Sequence, residues 1–157
     1  MEQYGLVRFI LFSSLFLIGQ SCKVRPLKQA NPDIVKRIEL RLSAFGVESD
    51  GFPSINAIVD LQSDTSYCIV SYYDPKFRDT TYRLTKATMD SIRYFVAHGD
   101  INMLKRKYTV SMTDQPTSTT IFYFSDKEIA ISDYGLEGPF PLKELYGLVY
   151  KLNINFR

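Results

Sequence analysis

His98 is the first residue to consider for chemistry, because it is the only histidine in the chain of 157 residues. Histidine is the commonest general base and a frequent zinc ligand, but a zinc site needs about four nitrogen, sulfur or oxygen ligands. Cys68 does not stand at a zinc-motif spacing from it, and its run SYCIVSYY is typical of a strand with a buried small residue. His98 falls in the last turn of a predicted helix, where a positive side chain meets the negative end of the helix dipole. This pattern favours structural roles for both residues.

Acidic pairs suggest two further kinds of site. Glu48 and Asp50 lie in the loop GVESDGFP, but calcium takes roughly six to eight oxygens and this loop lacks the repeated spacing of a calcium motif. Asp60 and Asp64 form a pair of the type that glycosidases use, although that mechanism depends on a distance in space that sequence does not give. Neither a Gly-x-Ser-x-Gly elbow nor a glycine-rich phosphate loop is present. The sequence therefore carries no reaction signature.

Cys22 has a chemical role that its position predicts. Arg8 is the only basic residue ahead of a mostly apolar run at residues 9–18, and small or polar residues at 19–21 then precede Cys22. This order is that of a secretory signal peptide, and the apolar run is too short for a spanning helix of about 20 residues. Bacterial lipoproteins carry their acylated cysteine directly after the cleaved peptide, and the stretch resembles such a lipobox, with Ser21 as its best-fitting residue. We predict a signal peptide at residues 1–21, lipidation of Cys22 and a lipid-anchored tether at 22–33, with a disulfide to Cys68 as the alternative.

Composition limits the class of protein. The chain is 45% hydrophobic and 23% charged, which is ordinary for a globular domain and excludes a disordered chain. A net charge of +2 is too small for a general nucleic-acid binder. The length predicts one domain, which we assign to residues 34–157, with no metal and no cofactor.

Alternating apolar and polar residues predict four strands in the first half of the domain, at residues 34–45, 54–61, 66–73 and 77–84. Residues 66–73 are the most continuously apolar, which is typical of a strand that is covered on both faces. The short connections favour an antiparallel meander.

The apolar period then changes to that of a helix over residues 86–98, with Thr85 as its N-cap and Gly99 as its C-terminal glycine cap. Residues 100–113 contain the cluster Lys105, Arg106 and Lys107 and are predicted to be a solvated connector or a short strand. Residues 117–124 and 129–132 predict a hairpin, and an apolar stripe from Leu142 to Leu152 predicts a closing helix. The predicted fold is α+β, with an antiparallel sheet of about six strands in the order ββββαββα and two helices packed on one face.

The hairpin brings together two loops that are distant in sequence. The loop that enters its first strand, at residues 114–117, must lie beside the loop that leaves its second, at residues 134–139, because the two strands are antiparallel. We predict possible binding loops here, and the alternative is that both loops simply close the sheet. The candidate contact residues are Asp114, Gln115, Tyr134 and Glu137.

Tyrosines in and beside the predicted strands are a further candidate surface. They could stack on sugars or anchor a protein partner, but tyrosine is also a preferred strand residue, and the absence of tryptophan weakens the sugar interpretation. These residues are Tyr72, Tyr73, Tyr82, Tyr123 and Tyr134.

The order of elements, together with Tyr108, DQPTSTT and ISDYGLEGPFPLKELYGLVYKL, resembles an uncharacterised domain-of-unknown-function family of small Bacteroidetes lipoproteins over roughly residues 34–155. Members of that family often carry a Cys-Phe-Gly-x-Cys-Pro motif after the first strand. Here Ala44, Phe45 and Gly46 occupy that place without a cysteine, so a metal or redox role of those cysteines does not carry over. The resemblance implies a cell-envelope location, in the outer membrane or facing the periplasm, and no known activity.

The predicted function is therefore that of an exported, lipid-anchored, non-enzymatic envelope protein that binds a protein partner, for example as an inhibitor or immunity protein. Its predicted contact with the membrane is the lipid on Cys22, and no nucleic-acid partner is expected. The alternative is an envelope enzyme of unrecognised type, whose carboxylate and histidine site would require Glu48, Asp50, His98 and Asp114 to converge in one pocket.

Overall fold

The computed structural model describes residues 34–151, so the predicted signal peptide, Cys22, the tether and Leu152 lie outside the described residues. The α+β class is confirmed. In chain order the elements are β1 (Arg37–Ser43), β2 (Ser54–Asp60), β3 (Thr65–Ser71), β4 (Thr80–Tyr82), α1 (Lys86–His98), a 3₁₀ turn (Ile101–Met103), β5 (Lys107–Thr109), β6 (Thr117–Tyr123), β7 (Glu128–Tyr134) and α2 (Leu142–Tyr150). Over residues 34–151, neither α-helix has the length and apolar character needed to cross a bilayer.

One sheet of seven strands runs through the domain in the order β4-β3-β2-β1-β6-β7-β5. The predicted meander of the first four strands and the β6–β7 hairpin are both present and antiparallel. The expected six antiparallel strands need one correction, because β5 adds a seventh strand that pairs in parallel with β7. Three residues are too few to show an alternating pattern, and their place at the sheet edge depends on contacts distant in sequence.

The core lies on one face of this sheet, beneath the two helices. Every second residue of β1 is buried, and the inward residues of β2, β6 and β7 continue that face across the sheet. Ile92 of α1 and Leu145 of α2 have no exposed surface and pack into the same core. Burial of one such side chain stabilises the fold by roughly 1.5–3 kcal/mol.

The opposite face of the sheet is open, which corrects the expectation that the third strand is covered on both faces. Residues 65–70 of β3 alternate between exposed and buried. Its outward residues Tyr67 and Ile69 are 48% and 38% exposed, and Ile58 opposite Tyr67 is 45% exposed. The apolar run at residues 66–73 therefore reflects a preference for strand structure and not burial on both faces, because both helices pack on the other face of the sheet.

The predicted limits of α1 are confirmed. Thr85 is its N-cap, and the Thr85 hydroxyl oxygen accepts a hydrogen bond of 3.2 Å from the Thr88 amide. Gly99 ends the helix as predicted, but its backbone is extended, with φ −87° and ψ 133°, rather than left-handed. The glycine is needed for space, since a Cβ atom there would lie 2.7 Å from the ring of Pro141. Gly99 thus lets the end of α1 approach the start of α2.

Candidate functional site

Four loops leave the same end of the sheet. Ser43 of β1 pairs with Thr117 of β6, Thr117 pairs with Tyr134 of β7, and Ser54 of β2 pairs with Ser71 of β3. The segments that follow or precede these residues are 44–53, 72–79, 110–116 and 135–139. We call this set of segments the loop end.

The two loops predicted to meet lie side by side. The Gln115 amide donates a hydrogen bond of 3.3 Å to the Tyr134 hydroxyl, and the Gly135 amide donates one of 2.9 Å to the Pro116 carbonyl oxygen. Gln115 and Tyr134 therefore help to hold the loops together. Asp114 and Glu137 are exposed and present carboxylates to solvent, with Glu137 Oε2 at 3.7 Å from Lys143 Nζ. A binding role for these four residues stays a prediction.

Asp133 is the buried centre of the loop that leaves β7. Its side chain has no exposed surface, Oδ1 accepts from the Glu137 amide at 3.1 Å, and Oδ2 accepts from the Gly138 amide at 2.7 Å. Charge-assisted bonds of this kind are stronger than those between neutral groups. The sequence reasoning missed Asp133, although its alternation with Ile129 and Ile131 places it on the inward face.

The backbone after β7 is also fixed by its shape. Gly135 has a φ of +96°, and a Cβ atom there would lie 2.5 Å from Val110 Cγ2. Leu136 adopts a φ of +58° while its side chain is 1% exposed, so burial of the leucine offsets a left-handed backbone that costs on the order of 1–3 kcal/mol. This loop is therefore held in one shape by polar, steric and apolar contacts together.

Large apolar side chains project into solvent from three of the four segments. Phe45 is 93% exposed, Tyr73 is 94% exposed and Met112 is 60% exposed. The segments that carry Phe45 and Tyr73 touch, since a Cβ atom on Gly51 would lie 3.3 Å from the ring of Phe77. The sequence analysis did not select Phe45 or Met112. The available signal was a large apolar residue inside a loop, where polar residues are usual.

The loop end is acidic. Its four segments contain six carboxylates, Glu48, Asp50, Asp74, Asp79, Asp114 and Glu137, and two cations, Lys76 and Arg78, which gives a formal charge of −4. The whole chain has a net charge of +2, so the loop end differs in sign from the molecule as a whole. The loop end thus combines exposed apolar side chains with an excess of carboxylates.

His98 lies away from the acidic residues that the enzyme hypothesis combines with it. Glu48, Asp50 and Asp114 are on the loop end, whereas Gly99, directly after His98, lines a cavity with Val35 and Leu61 at the opposite end of the sheet. The His98 Nδ1 atom is 2.7 Å from the Tyr94 carbonyl oxygen, and its ring lies 4.0 Å from the Tyr94 ring. In the part of the chain that the structure describes, no three His, Cys, Asp or Glu side chains are grouped to hold a metal ion.

The remaining candidates make structural contacts. Asp60 Oδ1 accepts from the amides of Ser63 and Gln62, and these bonds hold the pKa of Asp60 below its usual value. Asp64 Oδ1 forms an ion pair of 2.8 Å with Arg93. Cys68 is a free, fully buried thiol, as predicted, and burial raises its pKa.

No protein-family model, curated protein sequence or solved structure matches this chain. Its function is therefore inferred from the residues described above.

Proposed function

We propose that this chain is an exported, lipid-anchored protein of the bacterial cell envelope that binds another protein through its loop end. The observation that carries the proposal is the exposure of Phe45, Tyr73 and Met112 on adjacent loops. Aromatic residues and methionine are enriched at protein interfaces, where a few such side chains supply most of the binding energy. The role that we propose is non-enzymatic, for instance that of an inhibitor or immunity protein, because binding through such a surface requires no reacting group.

The contacts that hold segments 110–116 and 135–139 of the loop end in place support the proposal. Asp133 fixes the loop after β7 through two backbone amides, and Gly135 ties that loop to Pro116. A surface that is already ordered loses less conformational entropy when a partner binds. Loops held on a rigid sheet are a common arrangement for binding residues.

The direction of β1 also supports the proposal that the loop end is the binding surface. The chain reaches β1 at Arg37, next to Asp60 and Tyr123, and leaves it at Ser43 on the loop end. Seven residues of strand at about 3.3 Å each separate these two ends. With a lipid on Cys22 and the tether ahead of Ile34, the loop end would face away from the membrane and toward a partner. Membership of a Bacteroidetes lipoprotein family agrees with this location and stays a prediction.

Photo-cross-linking from the loop end tests the binding proposal. A photoreactive benzoyl-phenylalanine at position 45 or 73 is expected to give the same single protein adduct in intact cells. Position 94, where Tyr94 of α1 is 58% exposed, is the matched control and is expected to give none. Once that partner is purified, Phe45→Ala and Tyr73→Ala are each expected to weaken its binding about tenfold or more without changing the melting temperature. Absence of an adduct from both loop positions, or the same adduct from position 94, would contradict the proposal.

Metabolic labelling with a fatty acid tests the lipid anchor. The wild-type chain is expected to take up label and to fractionate with membranes. Cys22→Ala is expected to lose all label, because acylation requires that thiol. Cys68→Ala removes the buried thiol instead and is expected to keep the label. An unlabelled wild-type chain would exclude lipidation.

A further inference from the structure

A cavity of about 610 Å³ lies at the end of the sheet opposite the loop end. It is bounded by the start of β1, the residues after β2 and β6, the second half of α1 and the 3₁₀ turn. Ligand pockets in proteins commonly enclose about 300–1,000 Å³ and are lined mainly by apolar side chains with a few polar groups. The cavity has the size and the lining of such a pocket.

Its apolar lining runs from solvent into the core. Val35, Ile101 and Phe124 are 6%, 4% and 8% exposed and form the inner wall, whereas Ile34 is 58% exposed and stands at the mouth. Leu61 and Val96 are partly buried between them. A continuous apolar wall of this form suits a flexible hydrocarbon chain that enters from solvent.

Lys36 is the charged group of the lining that favours an anionic head group. Arg93 is held in place, since Nη1 lies 2.8 Å from Asp64 Oδ1 and Nη2 donates to the Leu61 carbonyl oxygen at 3.0 Å. Arg93 Nη1 also lies 3.5 Å from Asp90 Oδ1, so two carboxylates offset the charge of Arg93, and Asp100 is the one carboxylate among the lining residues themselves. Within residues 34–151 no carboxylate lies at ion-pair distance from Lys36, so its ammonium group is available to a ligand.

We infer that this cavity binds a fatty acid, with its hydrocarbon chain against Val35, Leu61, Val96, Ile101 and Phe124 and its carboxylate beside Lys36. Each methylene that leaves water is expected to raise affinity about fourfold. The site is separate from the loop end and does not depend on the function proposed there.

Calorimetric titration of the mature chain, carried as Cys22→Ser so that no acyl group of its own is present, tests the inference. Dodecanoate is expected to bind with a 1:1 stoichiometry. Octanoate, which is four methylenes shorter, is expected to bind about 250-fold more weakly, and dodecyltrimethylammonium, which has the same chain length and a positive head, about tenfold more weakly. Lys36→Gln is expected to weaken binding of dodecanoate but not of dodecyltrimethylammonium.

Substitution of two alanines of α1 tests whether the fatty acid binds in this cavity. Both are exposed, but Ala97 lines the cavity and Ala87 does not. Ala97→Phe is expected to fill the cavity and weaken dodecanoate binding about tenfold or more, while Ala87→Phe leaves it unchanged and both variants keep the wild-type melting temperature. No dodecanoate binding, equal loss in both variants, or equal affinity for the two head groups would overturn the inference. Self-association that Ala97→Phe abolishes, without dodecanoate binding, would show instead that a second copy covers the cavity.

Discussion

Replacement of Asp133 by alanine is expected to lower the free energy of unfolding by about 3 kcal/mol. The carboxylate has no exposed surface and accepts from two amides, at 3.1 Å from Glu137 and at 2.7 Å from Gly138. Its removal leaves the buried Gly138 amide without an acceptor, and each bond to a charged group contributes about 1.5–3 kcal/mol. The smaller side chain also leaves a cavity beside Leu142, whose Cδ1 atom approaches Gly138.

Urea unfolding followed by circular dichroism measures this effect. Asp126→Ala is the control, because Asp126 lies in the exposed turn between β6 and β7, and it is expected to change stability by no more than about 0.5 kcal/mol. Asp133→Asn keeps one acceptor oxygen and turns an amino group toward the second amide, so its loss is expected to fall between those of the other two variants. An Asp133→Ala midpoint equal to that of the wild type would show that the carboxylate does not hold this loop.

The meander and the helix α1 could be predicted because they depend on residues that are neighbours in sequence. The alternation of Ile38, Leu40 and Leu42 marks β1, and the Thr85 side chain marks the start of α1. What could not be predicted at Gly99 and at β5 depends on contacts between distant residues. The sequence predicts that Gly99 ends α1, but not the close approach of Pro141 that requires a glycine there. It predicts a connector or a short strand at residues 100–113, but not the parallel pairing of β5 with β7.

The same distinction applies to the loop end. Antiparallel pairing alone places Gln115 near Tyr134, so the meeting of their loops could be predicted. The exposure of individual loop residues could not be predicted. Phe45 and Phe52 lie in one loop, yet Phe52 packs against the core while Phe45 is 93% exposed. Their local sequences contain no signal that separates them, because the difference arises from the direction in which the folded loop turns each side chain.

The sheet thus separates two ends with different surface chemistry. The loop end carries exposed apolar side chains and a formal charge of −4. The other end carries the cavity beside Ile34 and the start of the domain. Under the proposed function, with a lipid on Cys22, this separation would leave a partner room to approach the loop end, and the strand β1 sets it.

Stability is expected to fall steeply as the pH rises above about 10, because two buried tyrosines must stay protonated in the folded state. Tyr146 and Tyr150 are 4% and 3% exposed, and burial raises the pKa of both phenols above the usual value of 10.0. In the unfolded chain both groups ionise near pH 10, so above that pH the folded state binds more protons than the unfolded state. The free energy of unfolding therefore falls by about 1.4 kcal/mol per pH unit for each tyrosine, and the stabilisation is fully present below that pH.

Phenylalanine variants show which tyrosine causes the fall in the free energy of unfolding with pH. Tyr146→Phe is expected to reduce the fall in the free energy of unfolding with pH by about 1.4 kcal/mol per pH unit. Little stability is expected to be lost near pH 7, because the Tyr146 hydroxyl lies near Thr120, Ser118 and Asp133 but makes no hydrogen bond of good geometry within residues 34–151. Tyr150→Phe is expected to give the same reduction but to cost about 1 kcal/mol near pH 7, since the Tyr150 hydroxyl lies 2.6 Å from Ser118 Oγ. Tyr94→Phe, on the exposed face of α1, serves as the control and is expected to keep the wild-type slope. The measurement is the urea unfolding midpoint of each variant between about pH 8 and about pH 11. If the pH dependence of stability in Tyr146→Phe equals that of the wild type, the Tyr146 phenol ionises without unfolding the protein.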